Sequence, residues 1–273
     1  MGMNKLTTQK RAQILGMLCE GMSLRATSRL ADVSINTVTK LLVDVGTACA
    51  AYQDGALREL PCKRVQVDEI WSFTYAKTKN VKIAVAAPEG AGDTWTWTAI
   101  DADSKLIVSW LVGGRDAGYA HEFMQDVASR LANRVQRTSD GHLAAVEGAF
   151  GADVDYTTLI KLYGNAPEGQ RRYSPAVCTG TCKQRIEGEP DPKHVNTSFV
   201  ERQNLTMRMH MRRFTRLTNG FSKKVENHAY AVALHFMFYN FCRIHKALRV
   251  TPAMQAGVAN HVWTLEEVAE LVA

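Results

Sequence analysis

Val65-Gln66-Val67-Asp68-Glu69-Ile70-Trp71-Ser72-Phe73 repeats with the two-residue period of a half-buried strand. Thr94 to Asp101 (TWTWTAID) has the same period, and Leu106 to Val112 forms a third strand after the turn at Asp103-Ser104. Three strands joined by short links predict an antiparallel meander. Downstream, Phe123, Val127 and Leu131 fall at i, i+4 and i+8, which predicts a helix over about Ala117 to Asn133. Val135 to Ser139 reads as a fourth strand ending in Asp140-Gly141, followed by a helical run through Phe150 and a fifth strand over Thr157 to Leu162. Residues 164–195 are rich in Gly, Pro and charge and are expected to form an irregular insertion. A long helix is expected from Asn196 or Thr197 through the basic residues that follow, and Val225 to Ala273 reads as helical, with Pro252 opening a late helix. This order predicts a mixed α/β unit built on one five-stranded sheet flanked by helices.

Upstream of Arg64 the period is helical. Thr7 or Thr8 caps a first helix with Ile14, Leu15 and Leu18 on one face, ending near Gly21. Ser23 starts a short second helix through Leu30. Ser34 caps a third, with Val38, Leu41, Leu42 and Val45 in a buried stripe. The tight turn at Asp32-Val33 between the last two makes a helix-turn-helix pattern. In that pattern Asn36, Thr37 and Lys40 point away from the core, at the end that enters a major groove.

The 273 residues are 46% hydrophobic and 22% charged, which excludes a disordered or low-complexity chain. The most apolar stretch, around Ala229 to Phe241, is broken by His235 and Asn240, so no membrane span is expected. The first residues lack the apolar core of a signal peptide, and a cytoplasmic protein with six reduced thiols is expected. The net charge of +6 is unevenly placed. Glu201 to Lys224 holds Arg202, Arg208, Arg212, Arg213, Arg216, Lys223 and Lys224 against one acid, so this segment alone carries +6. A solvated helix face mixes its signs; a one-signed run predicts contact with a polyanion.

Three acids stand out by position. Asp68 lies mid-strand, where an isolated carboxylate is expensive to bury. Asp140 ends a strand, where functional groups of α/β sheets collect, and Glu201 opens the basic segment. Such a set suits phosphodiester chemistry, because hard divalent cations take oxygen ligands and a pair of them clamps the attacking and leaving oxygens. Asp101 competes with Asp140 but begins a turn with Asp103 and Ser104. Glu69 falls on the opposite face of its strand from Asp68 and is not expected to be a ligand. Cys178, Cys182 and His194 form a C-x3-C-x11-H set with no fourth ligand at suitable spacing, so unliganded thiols are expected. Trp71, Trp95, Trp97 and Trp110, like Phe236, Phe238 and Tyr239, are expected to pack in the core rather than stack on bases.

QVDEIWSF, WTWTAIDADSKLIVSWLVG, TSDG and NTSFVERQNLTMRMHMRRFTRLTNGFSKK together resemble the catalytic core of DDE transposases. Among these the chain is most similar to bacterial insertion-sequence transposases of the family named after insertion sequence one. The resemblance covers about residues 64–256, and YNFCRIHKALRVTPAMQAG resembles the closing helices of integrase-type domains. It implies an RNase H-like fold, with a helix-turn-helix unit over 1–60, a catalytic unit over 61–256 and a C-terminal helix over 257–273. It further implies that Asp68, Asp140 and Glu201 bind two Mg²⁺ ions, with Mn²⁺ as the alternative. The implied reaction is cleavage at transposon ends and joining of 3′ hydroxyls to target DNA. Arg202, Asn204, Arg208, Arg212, Arg213, Arg216, Lys223 and Lys224 are then implied to contact double-stranded DNA. Paired cutting of two ends implies at least a homodimer, associated with the nucleoid when on DNA. Two features depart from the pattern: the sixty residues between Asp140 and Glu201 exceed the usual gap, and no cysteine-rich zinc finger precedes the core. A DNA-binding regulator that keeps the fold without cutting is the second reading, and the intact set of acids favours the enzyme.

Overall fold

A computed structural model describes residues 6–140, 154–164, 178–215 and 218–272. Helices α1 (Thr8–Cys19), α2 (Leu24–Ala31) and α3 (Ile35–Ala56) come first. Each begins at a hydroxyl that accepts from a first-turn amide: Thr7 from Lys10, Ser23 from Ala26 and Ser34 from Thr37. Such caps contribute about 1 kcal/mol each. Asp32 adopts a left-handed conformation (φ 51°) that turns the chain sharply between α2 and α3.

The sheet follows as β1 (Arg64–Thr74), β2 (Gly92–Asp101) and β3 (Ile107–Gly113), with the short helix α4 (Thr78–Val81) between β1 and β2. After α5 (Ala117–Ser129) come β4 (Val135–Ser139), β5 (Val154–Tyr163) and β6 (Cys178–Glu187). The strand order is β3-β2-β1-β4-β5-β6. The meander β1-β2-β3 is antiparallel, β4 and β5 run parallel to β1, and β6 returns antiparallel to β5. The sheet therefore has six strands rather than five, and the segment expected to be irregular supplies the sixth. Its sequence, CTGTCKQRIE, hides its nature because almost every residue is exposed. As an edge strand it has no second neighbour to demand apolar alternation, and its charged side chains blunt the open edge. The helical run expected after Asp140 lies outside the described residues.

Helices cover both faces. Val65 and Val67 of β1 pack towards α5, whereas Ile70 packs with Ile100, Ile107 and residues of α6 (Ser198–His210) and α7 (Val225–Met237). The N-terminal helices share the first of these cores with the sheet. Gly46 of α3 lies so close to α7 that a Cβ there would sit 2.5 Å from that of Tyr230, and Gln53 donates to the carbonyl of Ala233 at 3.1 Å. The described chain ends with a π-helical turn (Phe238–Cys242), α8 (Pro252–Gln255), which opens at Pro252 as expected, and α9 (Leu265–Glu270). In the π turn the buried Asn240 pairs with the edge strand as a peptide group would, accepting from Ile107 N–H at 2.9 Å and donating to its carbonyl at 3.0 Å.

α6 also departs from expectation. It stops at His210 instead of continuing through the basic segment; Arg212–Phe214 forms a 3-10 turn and Thr215 after it is extended. Met211 just ahead of that turn and Phe214 at its end both insert into the core. No described helix is long and apolar enough to cross a membrane.

Candidate active site

β4 pairs with β1 only as far as Ser139 opposite Val67. Asp68 and Asp140 are thus the first residues beyond the point where two parallel strands part, the crevice in which α/β sheets place their ligands. Gln66, Asp68 and Ile70 share the face that meets α6. Gln66 performs an unusual task there: its Oε1 accepts from the backbone N–H groups of Phe199 (2.9 Å) and Val200 (3.1 Å). Its Nε2 donates to Asn196 at 2.6 Å. The helix-capping acceptor of α6 is thereby supplied by the sheet, since Thr197 makes no side-chain cap bond. This docking brings Asn204 over Asp68, and the Asn204 amide donates to Asp68 Oδ2 at 2.7 Å.

Asp68, Glu69 and Asp140 each offer a carboxylate oxygen, and the three oxygens lie within 4.8 Å of one another. Burial, then the negative charge of Asp140, Glu69 and Glu201, push Asp68 up to about 7, while the Glu69 backbone N–H on its Oδ1 (2.9 Å) acts in the opposite direction. A carboxylate so disfavoured as an anion is a ready ligand for a cation. All-oxygen donors of this kind suit a hard divalent cation rather than a softer metal.

Sequence reasoning set Glu69 aside because alternation sends it to the far face. It does lie on the far face, where Arg115, just ahead of α5, pairs with it at 2.6 Å, yet its carboxylate comes around to Asp68 and Asp140 at the point where the strands part. Glu201 lies outside that group of three. Its Oε1 is engaged by Lys161 of β5 and by the Thr197 hydroxyl, while its charge is felt at Asp68. Lys161 and Glu201 are 40 residues apart in the chain, so no local pattern in the sequence signals their pairing.

Asp101 is a turn former. Its Oδ2 accepts from Ser104 N–H (2.8 Å) and hydroxyl (2.6 Å), opposite Val65 and away from Asp68. Cys178 and Cys182 stand four residues apart on β6, about 13 Å at the rise of a strand, too far to share one zinc ion. His194 instead meets Arg64 and Asp191.

The basic residues scatter. Arg202, Arg212, Lys223 and Lys224 are exposed and Arg208 half-buried. Arg213 turns inward to Ser222 (2.7 Å), and burial draws its pKa down to about 10, so it braces the loop instead of meeting phosphates. Asn204 is likewise buried and bound to Asp68 rather than presented to a nucleic acid. Arg216 lies outside the described residues. On α3, Asn36 and Lys40 are exposed, with Lys40 paired to Asp44, and Thr37 bonds the Ser34 hydroxyl at 2.8 Å. Trp97 packs against Phe123, and Trp110 against Phe236, as core residues.

Fold and site together define a mixed α/β protein with a six-stranded sheet and a carboxylate centre able to hold a divalent cation. No protein-family model and no curated protein matches the chain. Among solved structures it is similar to the Mos1 transposase paired-end complex with left transposon end, at 12% identity and a TM-score of 0.25. That match covers 57% of this chain and 60% of the other, so the chain spans about three-fifths of its length. It is also similar to a pre-cleavage Mos1 transpososome, at 12% identity and a TM-score of 0.20, covering 52% and 55% of the two chains. The Mos1 Strand Transfer Complex matches at 12% identity and a TM-score of 0.25, covering 86% and 76%. Superposition this loose transfers no residue roles.

Proposed function

We propose that the chain is a metal-dependent polynucleotidyl transferase of the DDE transposase type, with an RNase H-like core, cutting DNA at the ends of an insertion sequence and joining the freed 3′ hydroxyls to target DNA. The observation that carries this reading is the meeting of Asp68 and Asp140 where β1 and β4 part, with Glu201 felt from α6.

Asp68 and Asp140 would hold the cation, with Glu201 as the third carboxylate and Lys161 keeping its charge balanced in the metal-free protein. Bound there, divalent cations supply the Lewis acidity that activates the attacking oxygen and offsets charge on the leaving one. The chain's own residues do the positioning. Gln66 fixes the start of α6, and Asn204 orients the Asp68 carboxylate. Exposed Arg202, Arg212, Lys223 and Lys224, with Arg208, supply positive charge for phosphates. Asn36, Thr37 and Lys40 at the start of α3 form the reading end of a helix-turn-helix, and cutting paired ends calls for at least a homodimer.

The test is Mg²⁺-dependent nicking of a supercoiled plasmid that carries the element's ends, with Asp140→Asn as control. Nicking by the unaltered chain and its loss in the variant are expected. Full activity in Asp140→Asn overturns the assignment of the acids, and DNA binding without nicking favours a regulator that keeps the fold alone.

A further inference from the structure

Beside α6 lies a cavity of about 200 Å³. Lys105 from the β2-β3 turn, Arg202 and Gln203 from α6, and Arg243, His245 and Lys246 after the π turn line it. No carboxylate does so among the described residues. Four permanent cations facing one small space repel one another and are expensive to assemble without a counter-charge. Burial, then the charges of Lys105 and Arg243, lower the pKa of His245, so their positive potential is felt at this ring. Gln203 gives the second, independent sign. It is only 2% exposed, and its Nε2 donor has no partner. The Nδ1 atom of His245 is also buried and without one. A buried donor left unpaired costs what a hydrogen bond would otherwise recover, so the Gln203 amide beside four cations describes a site shaped for an acceptor-rich anion.

We propose that this cavity seats a single phosphate group of a nucleic-acid strand, adjacent to the phosphodiester held at the carboxylates. The identity of the strand rests on the function proposed above; the anion site does not. Phosphate offers what the lining asks for: negative charge spread over several oxygens, each an acceptor for amide, imidazole, guanidinium and ammonium donors. Position supports a strand as its source. Gln203 directly precedes Asn204, the residue that grips Asp68, so the cavity and the carboxylates are served by neighbouring positions of one helix. A strand crossing α6 reaches both.

The experiment uses the full chain in EDTA, so that cleavage plays no part. Two variants are compared with the unaltered protein: Gln203→Met, which keeps the volume and removes the donor, and Lys246→Ala, which alters an exposed residue. Inorganic phosphate should raise the melting temperature more than sodium chloride at matched ionic strength, and both variants should lose that excess. For duplex DNA, the slope of log affinity against log salt should fall by about 0.9, the contribution of one phosphate, in Lys246→Ala, whereas Gln203→Met, which removes no charge, should weaken binding at every salt concentration. Phosphate acting no differently from chloride, with DNA binding unchanged in both variants, overturns the site. Loss of the phosphate effect with DNA binding unchanged in both variants shows a pocket for a free anion and overturns the nucleic-acid strand. Failure of plasmid nicking would refute the enzymatic reading while leaving these binding results intact.

Discussion

Replacing Asp68 by Asn should stabilise the metal-free protein at neutral and alkaline pH. Asp68 titrates at about 7 in the folded chain against 3.8 for an ordinary aspartate. A carboxyl whose native pKa is raised gains a proton on folding between those values. Its native state is therefore least burdened below pH 4, and the burden grows as pH rises to 7. A rise of about three pKa units corresponds to about 4 kcal/mol. Asn lacks one of the two acceptor oxygens that receive the Glu69 N–H and the Asn204 amide, which returns about 1 kcal/mol. The net gain at pH 8 is about 3 kcal/mol, or about 6–12 °C in melting temperature for a chain of this size. At pH 4 the gain should vanish or reverse. Melting both proteins in EDTA at pH 4, 6 and 8 measures this directly. Mg²⁺ should raise the midpoint of the unaltered chain at pH 8 and leave the variant nearly unmoved. An Asn variant no more stable at pH 8 than at pH 4 would refute the claim that like charges and burial strain this carboxylate.

Three further outcomes follow from particular contacts. His228 and His235 are buried and held at about 3, below the 6.5 of a free imidazole. The unfolded chain therefore takes up both protons first as pH falls below 6.5, and stability should drop by about 1.4 kcal/mol per pH unit for each histidine; urea melts of the Asp68→Asn variant at pH 7, 6 and 5 isolate the effect. Gln66→Leu removes the acceptor for two α6 amides, so a loss of about 2–3 kcal/mol is expected by chemical denaturation, with weaker Mg²⁺ binding; an unaffected Mg²⁺ affinity would separate α6 from the centre. Lys161→Met releases Glu201, and Mg²⁺ affinity read from thermal titration should rise about fivefold, the scale of one partly exposed ion pair; no change would detach Glu201 from the metal.

Much of the framework was legible in the chain itself. β1, β2 and β3 were readable because a sheet with buried faces imposes period two on its side chains, and β4 matched its expected bounds from Val135 to Ser139. The hydroxyl caps at Ser23 and Ser34 marked α2 and α3 because a helix start leaves amides that a neighbouring side chain must satisfy. Asp68 stood out as an acid at a costly mid-strand position, Asp140 as one at a strand end, and Glu201 as the acid that opens the basic segment. Local chemistry leaves its signature in local sequence, and these features are local.

The partners of those acids were decided elsewhere. Glu69 joins the cluster only because β4 leaves β1 just before it, and Lys161 reaches Glu201 only because β5 lies in the same sheet. β6 escaped notice because an exposed edge strand is under no pressure to alternate. The basic run from Arg202 to Lys224 looked like one continuous surface, yet α6 ends at His210 and Arg213 turns inward to Ser222. Charge content is a property of the segment, whereas exposure depends on which side chains the core claims first. Sequence alone thus singled out Asp68, Asp140 and Glu201, and long-range packing decided that Asp68 and Asp140 meet Glu69 while Glu201 pairs with Lys161.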